Sequence, residues 1–171
     1  MALGDIVRNF LSGNLDNKLL EMEKKTDTQV SKTRSGGGSE DVEDSKKLLE
    51  DLDSLEKTGE DVKQLDGQVS TLKSRSESGF KAAEKLREAN IIGSSLNPAA
   101  AAMAIVQEKL MDKLKGEIED LGSAGDLIKP ALNKLDRSLT NMRKKLKQSI
   151  KDKKQADAVK AEKNKMLGKE E

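Results

Sequence analysis

Residues 126–150, DLIKPALNKLDRSLTNMRKKLKQSI, decide the fold. Within them Ile128, Leu132, Leu135, Leu139, Met142 and Leu146 recur in steps of four and three without a fault. That spacing places one apolar residue per turn along a single helical stripe, the seam through which helices pack on one another. Asp126 stands where it can cap the start of this helix, and Pro130 falls in its first turns, where a missing N–H costs least. Past Ile150 the apolar positions thin to Ala156, Val159 and Met166, so the spacing predicts fraying.

Three further helices read outward from this one. Asn97-Pro98 opens the third as an N-cap followed by proline at the first helical position, and it runs through Met103, Val106, Leu110, Leu114, Ile118 and Leu121 to a stop at Gly122. The second begins at Ser39, whose following Glu40, Asp41 and Glu43 suit a helix N-terminus. Its heptads place Leu48, Leu55, Val62, Val69 and Ala83 at one seam position and Leu65, Leu72 and Leu86 at the other. Asp51, Thr58, Ser76 and Gly79 interrupt the seam, and Gly59 and Gly67 predict a bend or the close approach of a neighbour before the helix ends near Asn90 to Gly93. The first runs from about Ala2 to Val30 on Leu3, Ile6, Val7, Phe10, Leu11, Leu15, Leu19 and Met22. The expected architecture is all-α: an elongated antiparallel helical bundle or coiled coil of about four helices. Its segments are an N-terminal amphipathic helix (1–34), a Gly/Ser linker (35–39) and a coiled-coil bundle (40–171).

Composition agrees with thin helical packing. Of 171 residues 37% are charged, yet 32 Lys and Arg against 31 Asp and Glu leave a net charge of only +1. Phe10 and Phe80 are the sole aromatics, too few for an ordinary globular core but no obstacle to a Leu/Ile/Val/Ala seam. The charge is segregated: residues 40–66 hold eleven acidic and four basic side chains, net −7, and residues 143–165 hold ten basic and three acidic, net +7. Complementary blocks on helices with good heptads predict that the two helices meet.

The absent residue types exclude whole chemistries. Without His or Cys there is no thiol nucleophile, Ser-His-Asp relay, His or Cys zinc site, iron–sulfur cluster or disulfide. The longest apolar run, Ala99 to Val106, is far below the roughly 18 residues that span a bilayer. No secretion signal of the usual form is read, so a cytoplasmic setting, peripheral to a membrane at most, is the expectation. Ser54-x-x-Lys57 and Lys57-Thr58-Gly59 match fragments of penicillin-interacting enzymes, but there the elements converge on a pocket from separate parts of the fold, whereas here they share Lys57 on one helix face. Carboxylate pairs such as Asp51/Asp53 and Glu117/Asp120 would need a pocket that shifts their pKa values before doing acid–base work. No phosphate-binding glycine loop or calcium loop is present. The sequence offers no catalytic residue, cofactor, metal site or small-molecule substrate.

Three surfaces carry functional expectations. The first is the helix-packing interface of Leu55, Val62, Leu65, Val69 and Leu72 with Leu132, Leu135, Leu139, Met142 and Leu146, whose partner is a second copy of the chain or another helical protein. The second is the apolar face of the first helix, Leu3, Ile6, Val7, Phe10 and Leu11, which would suit an anionic membrane surface. Here Met1-Ala2-Leu3, Asp5, Val7-Arg8, Ser12 and Asn14-Leu15 resemble the start of the PspA/Vipp1 membrane-remodelling family, which implies helical hairpins that polymerise on lipid. The resemblance covers about fifteen residues, and the Glu-Asp-Pro segment that should follow is missing. The third is the basic run of Arg143, Lys144, Lys145, Lys147, Lys151, Lys153 and Lys154, able to contact phosphates of nucleic acid or lipid without base specificity, since stacking aromatics are lacking. The leading expectation is a non-enzymatic structural protein that self-assembles or scaffolds a partner.

Overall fold

The computed structural model describes residues 2–36 and 38–168. Met1, Gly37 in the Gly/Ser linker and the last three residues of the expected bundle lie outside the described residues. The chain is all-α, with no strand among the described residues: α1 (Leu3–Phe10), a π turn (Leu11–Asp16), α2 (Asn17–Arg34), α3 (Ser39–Gly93) and α4 (Pro98–Met166). Because α1, the π turn and α2 form one continuous helix, the fold has three long helices.

The expected third and fourth helices are one, which corrects the count of four. Gly122 does not stop the helix and Asp126 does not start one, because the buried stripe never breaks. Leu121, Ala124, Ile128, Leu132, Leu135, Leu139, Met142 and Leu146 are all buried, with Ala124 and Ile128 fully so. Each interior glycine costs about 1 kcal/mol and Pro130 about 3, less than the burial that an uninterrupted helix secures. Likewise the helix continues past Ile150 to Met166.

The π turn also has a cause in the sequence. Val7, Leu11, Leu15 and Leu19 are all buried and stand four residues apart three times in succession. Steps of four drift around an α-helix; a wider turn bonded i→i+5 takes up the excess and keeps the line on one side. At the other end, Gly36 at φ +100° turns the chain out of α2, a conformation that side chains rarely tolerate.

Two compact units divide the chain: Met1–Leu11 with Val62–Ala131, and Ser12–Asp61 with Leu132–Glu171. In the first, α3 and α4 run antiparallel: Val69 lies by Gly125, Lys73 by Gly122, Gly79 by Leu114, and Asn90 donates to Gln107 Oε1 at 2.9 Å. Here α1 lies on α4, its first-turn N–H groups at Leu3 and Gly4 both bonded to the Asp120 carboxylate, at 2.8 and 3.2 Å. Ala2 has no side chain to cap this helix, so Asp120 caps it from α4.

In the second unit α3 is again antiparallel to α4: Gly59 meets Leu135, and Arg143 reaches Asp53 and Glu56. By contrast α2 runs parallel to α4, with Asp16–Lys134, Glu23–Ser138 and Asp27–Lys145 in register. The core here changes along its length. Leu15, Leu19, Leu52, Leu55 and residues 132–146 of the stripe give way to a polar layer of Thr26, Gln29, Thr33, Ser45 and Ser149, all buried. These are bonded mostly to backbone: Thr33 to the Gln29 carbonyl at 2.9 Å, Ser45 and Gln29 to the Asp41 carbonyl at 2.8 Å each, and Ser149 to that of Leu146.

Candidate docking surfaces

Of the expected helix-packing residues, Leu55, Val62 and Val69 are buried and Leu65 is half-buried. Leu132, Leu135, Leu139, Met142 and Leu146 are buried as well. Leu72 differs: it is 49% exposed. On the first helix, Val7 and Leu11 are buried and Leu3 is half-buried, so the face expected to meet a membrane is spent largely on the core; Ile6 and Phe10 point outward.

Members of the basic run have different surroundings. Arg143 forks between Asp53 and Glu56, each 2.6 Å away, and this joins the acidic and basic blocks within the second unit. Its guanidinium is held above its already high pKa by the hydrogen bonds of Glu56 and Asp53. Lys145 pairs with Asp27 and Lys153 with Asp157. Lys147, Lys151 and Lys154 line a shallow open patch with Ile150, Gln155 and Ala158, and Lys144 is exposed. Elsewhere Lys25 draws the exposed Glu21 carboxyl below its ordinary value by a hydrogen bond and its charge, and Lys46 does the same to Glu43. These are surface pairs, with no enclosed site around them. Among the described residues no group of three or more Asp or Glu side chains is placed to hold a metal ion, and no helix is long and apolar enough to cross a membrane.

The feature that stands out lies in the first unit, on the α3–α4 pair beyond the start of α1. Toward α3 the inner face of α4 is Ala104, Gln107, Met111, Leu114, Ile118 and Leu121, a faultless heptad of which Ala104, Gln107 and Leu121 are buried. One side of the pair is polar, around Ser70, Lys73 and Gly122. The other carries α1 at Asp120 and Ser123. Counted along the helices, that α1-bearing side continues through Glu117, Leu110, Val106 and Met103 on α4, and through Leu72, Gly79 and Leu86 on α3. No described helix covers it there. Leu72 is 49% exposed, Leu86 57%, Met103 52%, Val106 59% and Leu110 47%. The strip is bordered by Arg75, Lys85, Lys109 and Lys113 against Glu117, a net positive rim.

Where α3 turns into α4 a second surface appears. Residues 89–107 contain no charged side chain, in a chain that is 37% charged. Ile91, Ile92, Leu96 and Ile105 are exposed there, Ile92 by 78% and Leu96 by 90%. The gap in charge was visible in the sequence, where the apolar run Ala99 to Val106 was weighed only as a membrane span and was too short for one. Leu72, Leu86, Met103, Val106 and Leu110 have the same apolar spacing as buried residues, so nothing local to them marks an uncovered strip. Compared with family profiles, curated proteins and solved structures, the chain finds no match.

Proposed function

We propose that the protein is a non-enzymatic helix-packing scaffold. Its α3–α4 pair forms an antiparallel coiled-coil seam, and the strip from Leu72 to Leu110 takes a further amphipathic helix with an acidic polar face, supplied by a partner. The carrying observation is the open strip itself: five large apolar side chains about half exposed, on the side of the pair that α1 occupies at Asp120. A helix laid there would bury them as packing buries Val7 of α1, and the rim of Arg75, Lys85, Lys109 and Lys113 selects acidic flanks. A second copy of the chain would bring the same basic rim against itself, which disfavours self-association through this face.

The test uses two labelled model helices with the same Leu seam, one flanked by Glu and one by Lys, with fluorescence anisotropy as the readout. The Glu-flanked peptide should bind, more tightly at low salt, and Leu72→Glu with Leu110→Glu should abolish binding while helicity at 222 nm is unchanged. Equal binding of both peptides, or of neither, would overturn the reading. So would a mass that doubles with concentration in light scattering and returns to monomer in the same variant, since the occupant would then be a second copy.

A further inference from the structure

We infer that the end of the α3–α4 hairpin, residues 89–107, inserts into one leaflet of an anionic lipid bilayer. This surface adjoins the helix-binding strip and shares Met103 and Val106 with it, but it is carried by Ile91, Ile92, Leu96 and Ile105, which the strip does not use.

First, the apolar side chains surround the hairpin end. Met103 and Ile105 stand about 200° apart around α4, Ile91 and Ile92 about 100° apart on α3, and Leu96 projects from the loop. A docking site for a folded protein is one-sided. An end that is free of charge and shows apolar side chains on several sides, with only Ser95 and Asn97 as exposed polar residues of the loop, suits immersion in an apolar medium.

Much of the loop's backbone also satisfies itself. The N–H groups of Ser94, Leu96 and Asn97 bond to the carbonyls of Ile91 and Gly93, and that of Ala100 to Asn97. Asn97 Oδ1 takes the Ala99 N–H at 3.0 Å, and the Ser94 hydroxyl donates to Ile91 at 2.6 Å. Even the side-chain amides of Asn90 and Gln107 pair with each other. The Ser95 N–H and the carbonyls of Ser94, Ser95 and Leu96 make no such bond and would keep water or headgroup contacts, while the other N–H groups of the loop are free to leave water.

Length and charge then set the depth. The ten residues of α4 from Pro98 to Gln107 rise about 15 Å, half the roughly 30 Å hydrocarbon thickness, so the end dips into one leaflet and cannot cross. Immediately behind it, residues 81–88 and 108–115 hold six basic and four acidic side chains, with Arg87 paired to Glu108; the excess of two positive charges, at the level of the headgroups, favours anionic lipid.

The experiment is vesicle flotation with the full chain, using phosphatidylcholine vesicles with and without phosphatidylglycerol. The parent protein should float with the anionic vesicles. Ile92→Glu with Leu96→Glu should lower the partition coefficient about a hundredfold or more, because two exposed side chains lose the free energy of burial. Both are too exposed to support the fold, so helicity should be unchanged. Ile6→Glu with Phe10→Glu, on the first helix, should float like the parent. The chain has no tryptophan, so Ile92→Trp gives an independent signal: its emission should shift to the blue and be quenched by brominated acyl chains. The inference fails if the parent floats with neither vesicle, if the Ile92/Leu96 variant floats undiminished, or if the introduced indole stays unquenched on bound protein. Binding that is abolished by salt and indifferent to the hairpin end would assign the membrane contact to the basic run of α4 instead.

Discussion

Two glycines on α3 separate the effect of tertiary packing from that of helix propensity. Both lie inside the helix, where Ala is favoured over Gly by about 1 kcal/mol. At Gly67 a Cβ meets nothing within 4 Å, so Gly67→Ala should raise stability by about 0.5–1 kcal/mol. At Gly59 the same Cβ would lie 2.6 Å from Leu135 Cδ2, about 1 Å inside the usual carbon–carbon contact. Leu135 is only 1% exposed, so its methyl cannot swing clear without disturbing its neighbours. Overpacking of this kind costs about 1–3 kcal/mol, which leaves Gly59→Ala neutral to about 2 kcal/mol destabilising after the propensity gain. For a chain of this length each kcal/mol moves Tm by about 2–4 °C, so the two variants should separate in guanidinium or thermal melts followed at 222 nm, Gly67→Ala above the parent and Gly59→Ala at or below it. Leu135→Ala removes the obstructing methyl at its own cost of about 2–5 kcal/mol. In that background Gly59→Ala should become stabilising, giving a coupling of about 1–3 kcal/mol in the double-mutant cycle. If Gly59→Ala stabilises the parent as much as Gly67→Ala does, or if the cycle shows no coupling, α3 and α4 do not pack in this register.

Thr26 is fully buried and its Oγ1 has no hydrogen-bond partner, so Thr26→Val, of the same shape, should raise the unfolding free energy by about 1 kcal/mol. Thr33→Val should instead lower it, because that hydroxyl donates to the Gln29 carbonyl. Chemical denaturation of the two variants side by side checks the pair, and equal effects would contradict it. Leu139→Asp places a charge at a position 3% exposed and should abolish the cooperative melt, while Lys144→Asp on the solvated face should change stability by less than about 0.5 kcal/mol.

The helical fold was legible because the periodicity is long and strong. The end of α3 at Gly93 and the Asn97-Pro98 start of α4 fall where expected, with Asn97 bonded to the Ala99 N–H, whereas Ser39 is the first residue of α3 itself, one position inside the expected cap. Gly59 behaves as a glycine that admits a neighbour. Gly122 and Asp126 misled for a physical reason: stop and start signals are worth about a kilocalorie each, whereas the stripe from Leu121 to Leu146 is buried throughout. The acidic and basic blocks meet through Arg143 with Asp53 and Glu56, but Lys145 turns to Asp27 on α2, a pairing that net charge per segment could not resolve.

By itself, then, the sequence determined that this chain is helical, which positions form its apolar stripes, and which chemistries its missing His and Cys forbid, because these follow from residue type and local spacing. Only the tertiary structure decided where those stripes are covered. Leu55 and Leu72 belong to the same apolar pattern, yet one is 5% exposed and the other 49%. An apolar spacing of three and four records that a helix can pack; whether another helix lies against it depends on where the rest of the chain goes. Here the first turn of α1 is held at Asp120 of α4, and no described helix covers the strip beyond it.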